Sequence, residues 1–421
     1  MRKIYNLVKK NNLEKVVENF FSLSALEIVT YGFKLITIPY IAKTIGLEKF
    51  GIIAFAAALC NFFIIIVDYG FHLSAVKDLA KNRSDINKIN FIFTKVFFSK
   101  LSILLFTILI FLSIVFSLSM FRDNYMIYIF SFMVVINNVI YPQWFFHGIE
   151  KMKFITIFNI VIHILYLICI FSFIKSESDY IYIPLLIGLC TFLIGVVSII
   201  IIFIKYKVRF VTISIKDIIQ TLNDSKYVFI NQFFPYIYKN TPIILLGIFA
   251  PLTSVGLFSA AERVINVCSL FIKVLTRSFF PHLAHSRETF KLHSQILISI
   301  SLFMLFLLVL FSKSIFNILY TQEFEEGVNL LYIMSIGIFF LALYNCFGTN
   351  GLIHENKEKL LMKSTIFSSV SAVILSLFLI YYFKEFGAAI SIVFGKTMMG
   401  LSVFYLYRKV VLKEKTPKNE F

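Results

Sequence analysis

The sequence predicts an all-α integral membrane protein. It should hold about twelve transmembrane helices in two six-helix bundles, related by a pseudo-two-fold axis along the membrane normal. Three observations lead there. First, 59% of the 421 residues are hydrophobic and 15% are charged, against a usual charged share of about 25%. A soluble fold of this length has no polar cover for so much apolar surface. Second, the apolar residues form long runs without Asp, Glu, Lys or Arg, such as Phe50–Val67, Leu101–Phe121 and Asn124–Ile149. A helix needs roughly 20 such residues to cross about 30 Å of hydrocarbon, whereas a membrane barrel would show short alternating segments. Third, Lys and Arg are distributed unevenly between alternate loops.

In chain order the spans are 19–42, 50–72, 95–119, 125–147, 154–174, 181–204, 226–250, 254–280, 294–316, 329–351, 361–383 and 387–407. Most are defined by an uninterrupted apolar run. The first is interrupted by Glu27 and Lys34, the seventh by Lys239, the eighth by Glu262, Arg263 and Lys273, and the last by Lys396. The first follows a basic stretch as a signal peptide would. It is too long for one and lacks a small-residue cleavage site, so it reads as a retained helix.

Lys226, Arg277, Lys313 and Lys363 lie at helix edges and are counted with the adjacent loops. Then 27 of the 40 Lys and Arg fall in the N-terminus, the tail and the even-numbered connections, against 6 in the opposite loops. By the positive-inside rule both termini are cytoplasmic. The net charge of +17 then sets topology and meets anionic lipid, so no nucleic-acid partner is expected. Cys60, Cys169, Cys190, Cys268 and Cys346 are scattered within helices, without metal or redox spacing. No phosphate-binding loop, dinucleotide fingerprint or nucleophile elbow is present, so neither a catalytic residue, a metal nor a cofactor is expected.

The longest connection, 205–225, is basic and central, and reads as a cytoplasmic linker between bundles 1–204 and 226–407, with a basic tail at 408–421. An offset of 205 residues places Lys34 on Lys239 and Gly51 on Gly256, which suggests that the halves are repeats.

Ionisable groups inside hydrocarbon cost about 2.5–3.5 kcal/mol each on insertion scales, so they mark cavities or partners. Glu27, Tyr31 and Lys34 share one helical face; so do Glu262, Asn266, Ser269 and Lys273, and the pair Asn61 and Asp68. Lys34, Lys239, Arg263 and Lys273 are candidates for a cationic cavity that binds phosphate or pyrophosphate. Glu27, Asp68 and Glu262 are candidates for carrying an ion. The competing reading pairs Glu27 with Lys34 and Glu262 with Lys273 as helix-to-helix struts. Asp68 could instead cap the basic segment that follows it. Lys95, Lys100 and Arg277 lie near expected helix ends, where snorkelling accounts for them.

Three segments carry a family resemblance. They are the run Pro39–Gly51 (PYIAKTIGLEKFG), Val67–Phe71 (VDYGF) leading into the basic Lys77–Lys88, and Tyr141–Lys151 (YPQWFFHGIEK). Together they resemble bacterial polysaccharide flippases of the Wzx O-antigen translocase type, within the superfamily of multidrug-and-toxin exporters and lipid II flippases. The resemblance covers about the first 155 residues. It implies movement of undecaprenyl-pyrophosphate-linked oligosaccharide to the outer leaflet by alternating access. Lys34, Lys239 and Arg263 would then attract the headgroup. It also implies coupling to a proton or sodium gradient, and a polysaccharide polymerase and chain-length regulator as partners.

Two other function classes are weighed. A drug or cation exporter should favour acids in its cavity, whereas the deep charges here lean positive. A membrane enzyme such as a polymerase should show a long outer loop or paired carboxylates, and neither is present.

Overall fold

The computed structural model describes residues 13–279 and 287–412, and the side chains of 32–279 and 290–409. It is 90% helical, with no strand among the described residues. The helices are α1 (Leu13–Asp68), α2 (Phe71–Lys81), α3 (Ile86–Ser117), α4 (Tyr125–Ile140), α5 (Gln143–Gly148), α6 (Met152–Phe173) and α7 (Tyr182–Lys205). They continue as α8 (Ile215–Phe249), α9 (Leu252–Phe279), α10 (Arg287–Leu319), α11 (Gly327–Leu343) with a π-helical extension Tyr344–Leu352, and α12 (Glu358–Leu406).

Among the described residues, nine helices are long and apolar enough to cross a membrane. Two of them bend at one non-helical residue, α1 at Gly46 and α12 at Lys384, so each supplies two of the expected spans. The more polar α8 brings the number to the twelve that the sequence predicts. The break between α8 and α9 at Ala250–Pro251 lies 205 residues after Gly46, the same offset that relates Lys34 to Lys239.

Several helices start earlier than hydropathy alone suggests, because polar caps extend them beyond the apolar run. The Asp85 carboxylate accepts from the backbone N–H of Asn87 at 3.0 Å and of Lys88 at 3.2 Å, which starts α3 at Ile86 instead of 95. Ser214 and Asp217 cap each other reciprocally: Ser214 N donates to Asp217 Oδ2 at 2.7 Å, and Asp217 N to Ser214 Oγ at 3.3 Å. These bonds hold the Asp217 carboxyl below the usual carboxylate range and start α8 at Ile215, so half of the expected linker is helical. The remainder is tied down along α3. Arg209 N donates to Asn90 Oδ1 at 2.9 Å and Val211 N to Thr94 Oγ1 at 3.2 Å, while Phe210 packs among Phe93, Phe97 and Phe203.

The chain divides into two compact units, Phe33–Tyr236 and one built on Ile237–Phe421, and the division falls inside α8. In the first unit Phe71, Leu79, Phe93, Trp144, Phe145 and Phe146 form a continuous buried core. Elsewhere large apolar side chains face outward: Leu105, Phe106 and Leu109 on α3 are 58–68% exposed. That would be unfavourable in water and is what a lipid-facing surface requires.

The elbow between α1 and α2 explains the VDYGF segment. Tyr69 (φ 46°) and Gly70 (φ 77°) both take left-handed backbone, and the Tyr69 ring stacks on Phe229 of α8 at 4.6 Å. A Cβ on Gly70 would lie 2.8 Å from Val228 Cγ1 and 3.0 Å from the Phe229 nitrogen. Gly70→Ala is therefore expected to lower the melting temperature. The left-handed backbone alone contributes about 1–2 kcal/mol, and the clash adds to it. Gly32→Ala, where a Cβ meets nothing within 4 Å, is the control and should melt like the parent in a detergent thermal scan.

Candidate functional sites

Each unit carries its own polar cluster. In the first unit Asp68 ends α1 and faces α3, where Lys100 lies 14 residues past the helix start. Lys100 Nζ donates to Asp68 Oδ1 at 3.0 Å and to the Asn138 carbonyl at 3.1 Å. Lys100 is 2% exposed, so it does not snorkel; it is the buried half of an ion pair. Breaking such a pair by removing one partner costs about 3–5 kcal/mol. The second Asp68 oxygen takes the His72 Nδ1 from α2. His72 Nε2 in turn lies 2.8 Å from Gln232 Nε2 on α8.

This chain of contacts borders a cavity of about 720 Å³ lined by α1 to α8 of the first unit. Besides Asp68, His72 and Lys100, its wall carries Asn137, Asn159, His147 and His163. Asn137 is held from behind: its Nδ2 donates to the Gly188 carbonyl at 2.8 Å and to Thr191 Oγ1 at 2.6 Å. Lys34, on the exposed side of α1, lies near enough to His163 for its charge to act there, and the adjacent Phe33 stacks on His163 at 6.0 Å.

Below this cavity two of the sequence segments meet. Gly148, at the end of α5, packs against Leu79 of α2. Arg83 Nε donates to the Gly148 carbonyl at 2.9 Å and its guanidinium pairs with Glu150, which lowers the Glu150 carboxyl below its ordinary range. The VDYGF and YPQWFFHGIEK segments are thus one structural device, a helix elbow clamped by a short helix.

In the second unit the focus is Lys396 on α12. Its aliphatic stem crosses α11 at Gly337, where a Cβ would stand 2.8 Å from Lys396 Cδ, so only glycine leaves that path open. Three charged groups act on the Lys396 ammonium: Glu262 and Lys273 of α9, and Lys239 of α8. Cys268 of α9 and Tyr238 of α8 border the same cluster. Lys396 with the two lysines and one carboxylate that act on it sums to a net charge of +2, which suits a phosphate or pyrophosphate dianion.

The sequence-derived residues are therefore distributed unequally. Lys239, Glu262 and Lys273 come together and gain Lys396, which hydropathy had registered only as a charge interrupting a span. Arg263 lies toward Tyr320, whose hydroxyl donates to the Ala260 carbonyl at 3.1 Å, and not among the charges acting on Lys396. Lys34 and Asp68 belong to the first unit. The side chain of Glu27 lies outside the described residues. His72 gave no sequence signal, because its partner Gln232 is 160 residues away.

A two-unit chain, helical and without strands over its described residues, with lipid-facing apolar surfaces and ionised groups in each unit, is a multi-pass membrane protein of transporter architecture. The chain belongs to the polysaccharide biosynthesis protein family, whose model matches residues 16–287. It is 29% identical to a putative O-antigen transporter of Escherichia coli K12, over 89% of this chain and 92% of that one. Its fold is similar to the lipid II flippase MurJ in an inward closed conformation, with a TM-score of 0.75 at 16% identity over 91% of this chain and 87% of that chain. An inward-facing multidrug resistance MATE transporter follows with a TM-score of 0.67 at 14% identity, over 93% and 99% of the two chains. The resemblance carried by the three sequence segments and the family match agree.

Proposed function

We propose that this protein is a transporter, not an enzyme, and that it moves undecaprenyl-pyrophosphate-linked oligosaccharide units from the cytoplasmic to the outer leaflet by alternating access. The observation that carries the proposal is that Lys239, Lys273 and Glu262 all act electrostatically on Lys396 within the second unit. A net positive cluster is expensive in hydrocarbon unless an anion visits it, and a lipid pyrophosphate is such an anion. The family supports the glycan part of the reading, and the E. coli relative is named for O-antigen transport. The Lys and Arg asymmetry supports cytoplasmic termini in the bacterial inner membrane. A polymerase and chain-length regulator would receive the product there, and a proton or sodium gradient would drive net movement.

The test is reconstitution of the full chain in vesicles with a fluorescent undecaprenyl-pyrophosphate oligosaccharide, reading the fraction exposed to a membrane-impermeant quencher. Exposure should rise faster than in protein-free vesicles. An equal rate, or acceleration only of organic cations in a parallel assay, would overturn the proposal.

A further inference from the structure

The first-unit cluster contains a group whose two ring nitrogens face opposite kinds of partner. His72 Nδ1 abuts Asp68 Oδ2, a carboxylate that only accepts, and Nε2 lies 2.8 Å from the Gln232 Nε2 amide, which only donates. With the Gln232 amide in this orientation, a ring proton on Nδ1 and a lone pair on Nε2 satisfy both contacts, which is the pattern of a neutral ring. Adding a proton at Nε2 would set one N–H against another. The conflict is relieved if the Gln232 amide turns over and presents Oε1. The cluster therefore has two self-consistent hydrogen-bond patterns, one neutral and one cationic, separated by a single amide reversal.

We propose that His72 is the proton-binding group of the first unit, and that its protonation is read out by reversal of the Gln232 amide while Asp68 stays ionised against Lys100. The proton comes from water in the cavity and bonds to the Nε2 lone pair; no other bond forms or breaks. Histidine is the side chain whose charge ordinarily changes between pH 5 and 8, and the His72 side chain is 45% exposed beside the cavity. Asp68 is a poorer acceptor. Protonating it would leave the buried Lys100 ammonium with the Asn138 carbonyl as its remaining hydrogen-bond partner in the cluster.

Asp68 of α1 and Gln232 of α8 contact His72 and His147 of α5 feels its charge, while Lys100 of α3, His163 of α6, Tyr141 and Tyr236 line the same cavity. Asp68 and Lys100 cancel, so protonation of His72 takes the trio from neutral to +1 within reach of His147. Gln232 lies on the same helix as Lys239, seven residues before it. Proton binding at His72 stands on this geometry alone. Its use in transport rests on the flippase reading.

The experiment is 15N NMR of the full chain in lipid nanodiscs, labelled at histidine and assigned with His72→Gln. One signal, absent from that variant, should pass from an Nδ1–H tautomer to the doubly protonated ring between pH 8 and pH 5. Gln232→Glu keeps His72 and puts a carboxylate against Nε2, so it should hold the doubly protonated ring to higher pH by about one unit or more. A His72 signal that does not change between pH 5 and 8, or an unmoved midpoint in Gln232→Glu, would overturn the proton site. In reconstituted vesicles His72→Gln should flatten the pH profile of glycolipid movement; an unchanged profile would overturn the role in transport. Wild-type protein that moves no glycolipid would sink the flippase reading while leaving the NMR result to decide the proton site.

Discussion

A chain carrying Lys239→Ala and Lys396→Ala together is expected to lose at least about a hundredfold in affinity for the lipid pyrophosphate. Each hydrogen bond to a charged group contributes about 1.5–3 kcal/mol, and each 1.4 kcal/mol is tenfold. Surface polysaccharide in cells that depend on this chain should fall accordingly, with membrane protein levels held equal by immunoblot. The companion variant Glu262→Gln separates two explanations. If the lysines exist to receive an anion, removing the central carboxylate raises the local charge and leaves binding intact or tighter. If they exist to pair with Glu262 and hold α8, α9 and α12 together, Glu262→Gln should be as damaging as the double alanine variant. Lys396→Arg is a further discriminator. Its guanidinium still carries charge but is bulkier at the Gly337 crossing, so it should retain part of the function and lose more than it would at exposed Lys239.

The second large effect is on stability. Asp68→Asn leaves the Lys100 ammonium buried without its counter-charge, and Lys100→Met removes the charge that Asp68 faces; each should cost about 3–5 kcal/mol. The double variant Asp68→Asn/Lys100→Met has no buried charge left to compensate and should recover most of that loss. Thermal unfolding in detergent measures all three. A double variant as unstable as the two single losses added together would show that the residues act independently and that the 3.0 Å contact is not an energetic pair.

The helices were legible in the sequence because crossing a bilayer requires a run of apolar residues, and that requirement is local. Their ends were not, because caps and interfacial turns are polar. Asp85 and the Ser214–Asp217 box add residues that hydropathy assigns to loops. The boundary error had a consequence at Lys100. With α3 taken to begin at 95, Lys100 reads as a snorkelling residue near a helix end; with the helix beginning at Ile86 it sits deep enough to meet Asp68. Lys239, Glu262 and Lys273 were each legible because unbalanced charge inside hydrocarbon is expensive wherever it occurs, but the sequence grouped the two lysines with Lys34 and Arg263 and set Glu262 apart as an ion carrier. The same signal marked Lys396, but its membership in the group depends on α12 crossing α11 at Gly337, which no periodicity encodes. His72 is a moderately polar residue at a helix start, and only the fold brings Gln232 to it.

The Asp68–Lys100 pair also imposes an order on biogenesis. Lys100 follows Asp68 by 32 residues, so the carboxylate reaches the insertion machinery before its counter-charge does. For that interval the second arm of α1 carries a penalty of up to about 2.5–3.5 kcal/mol on insertion scales, and α3 brings a similar cost for a charge of opposite sign. Neither segment is at ease in lipid until both are present. Early integration of the first unit is thus a cooperative event coupling the second and third crossings, in which the later helix retains the earlier one.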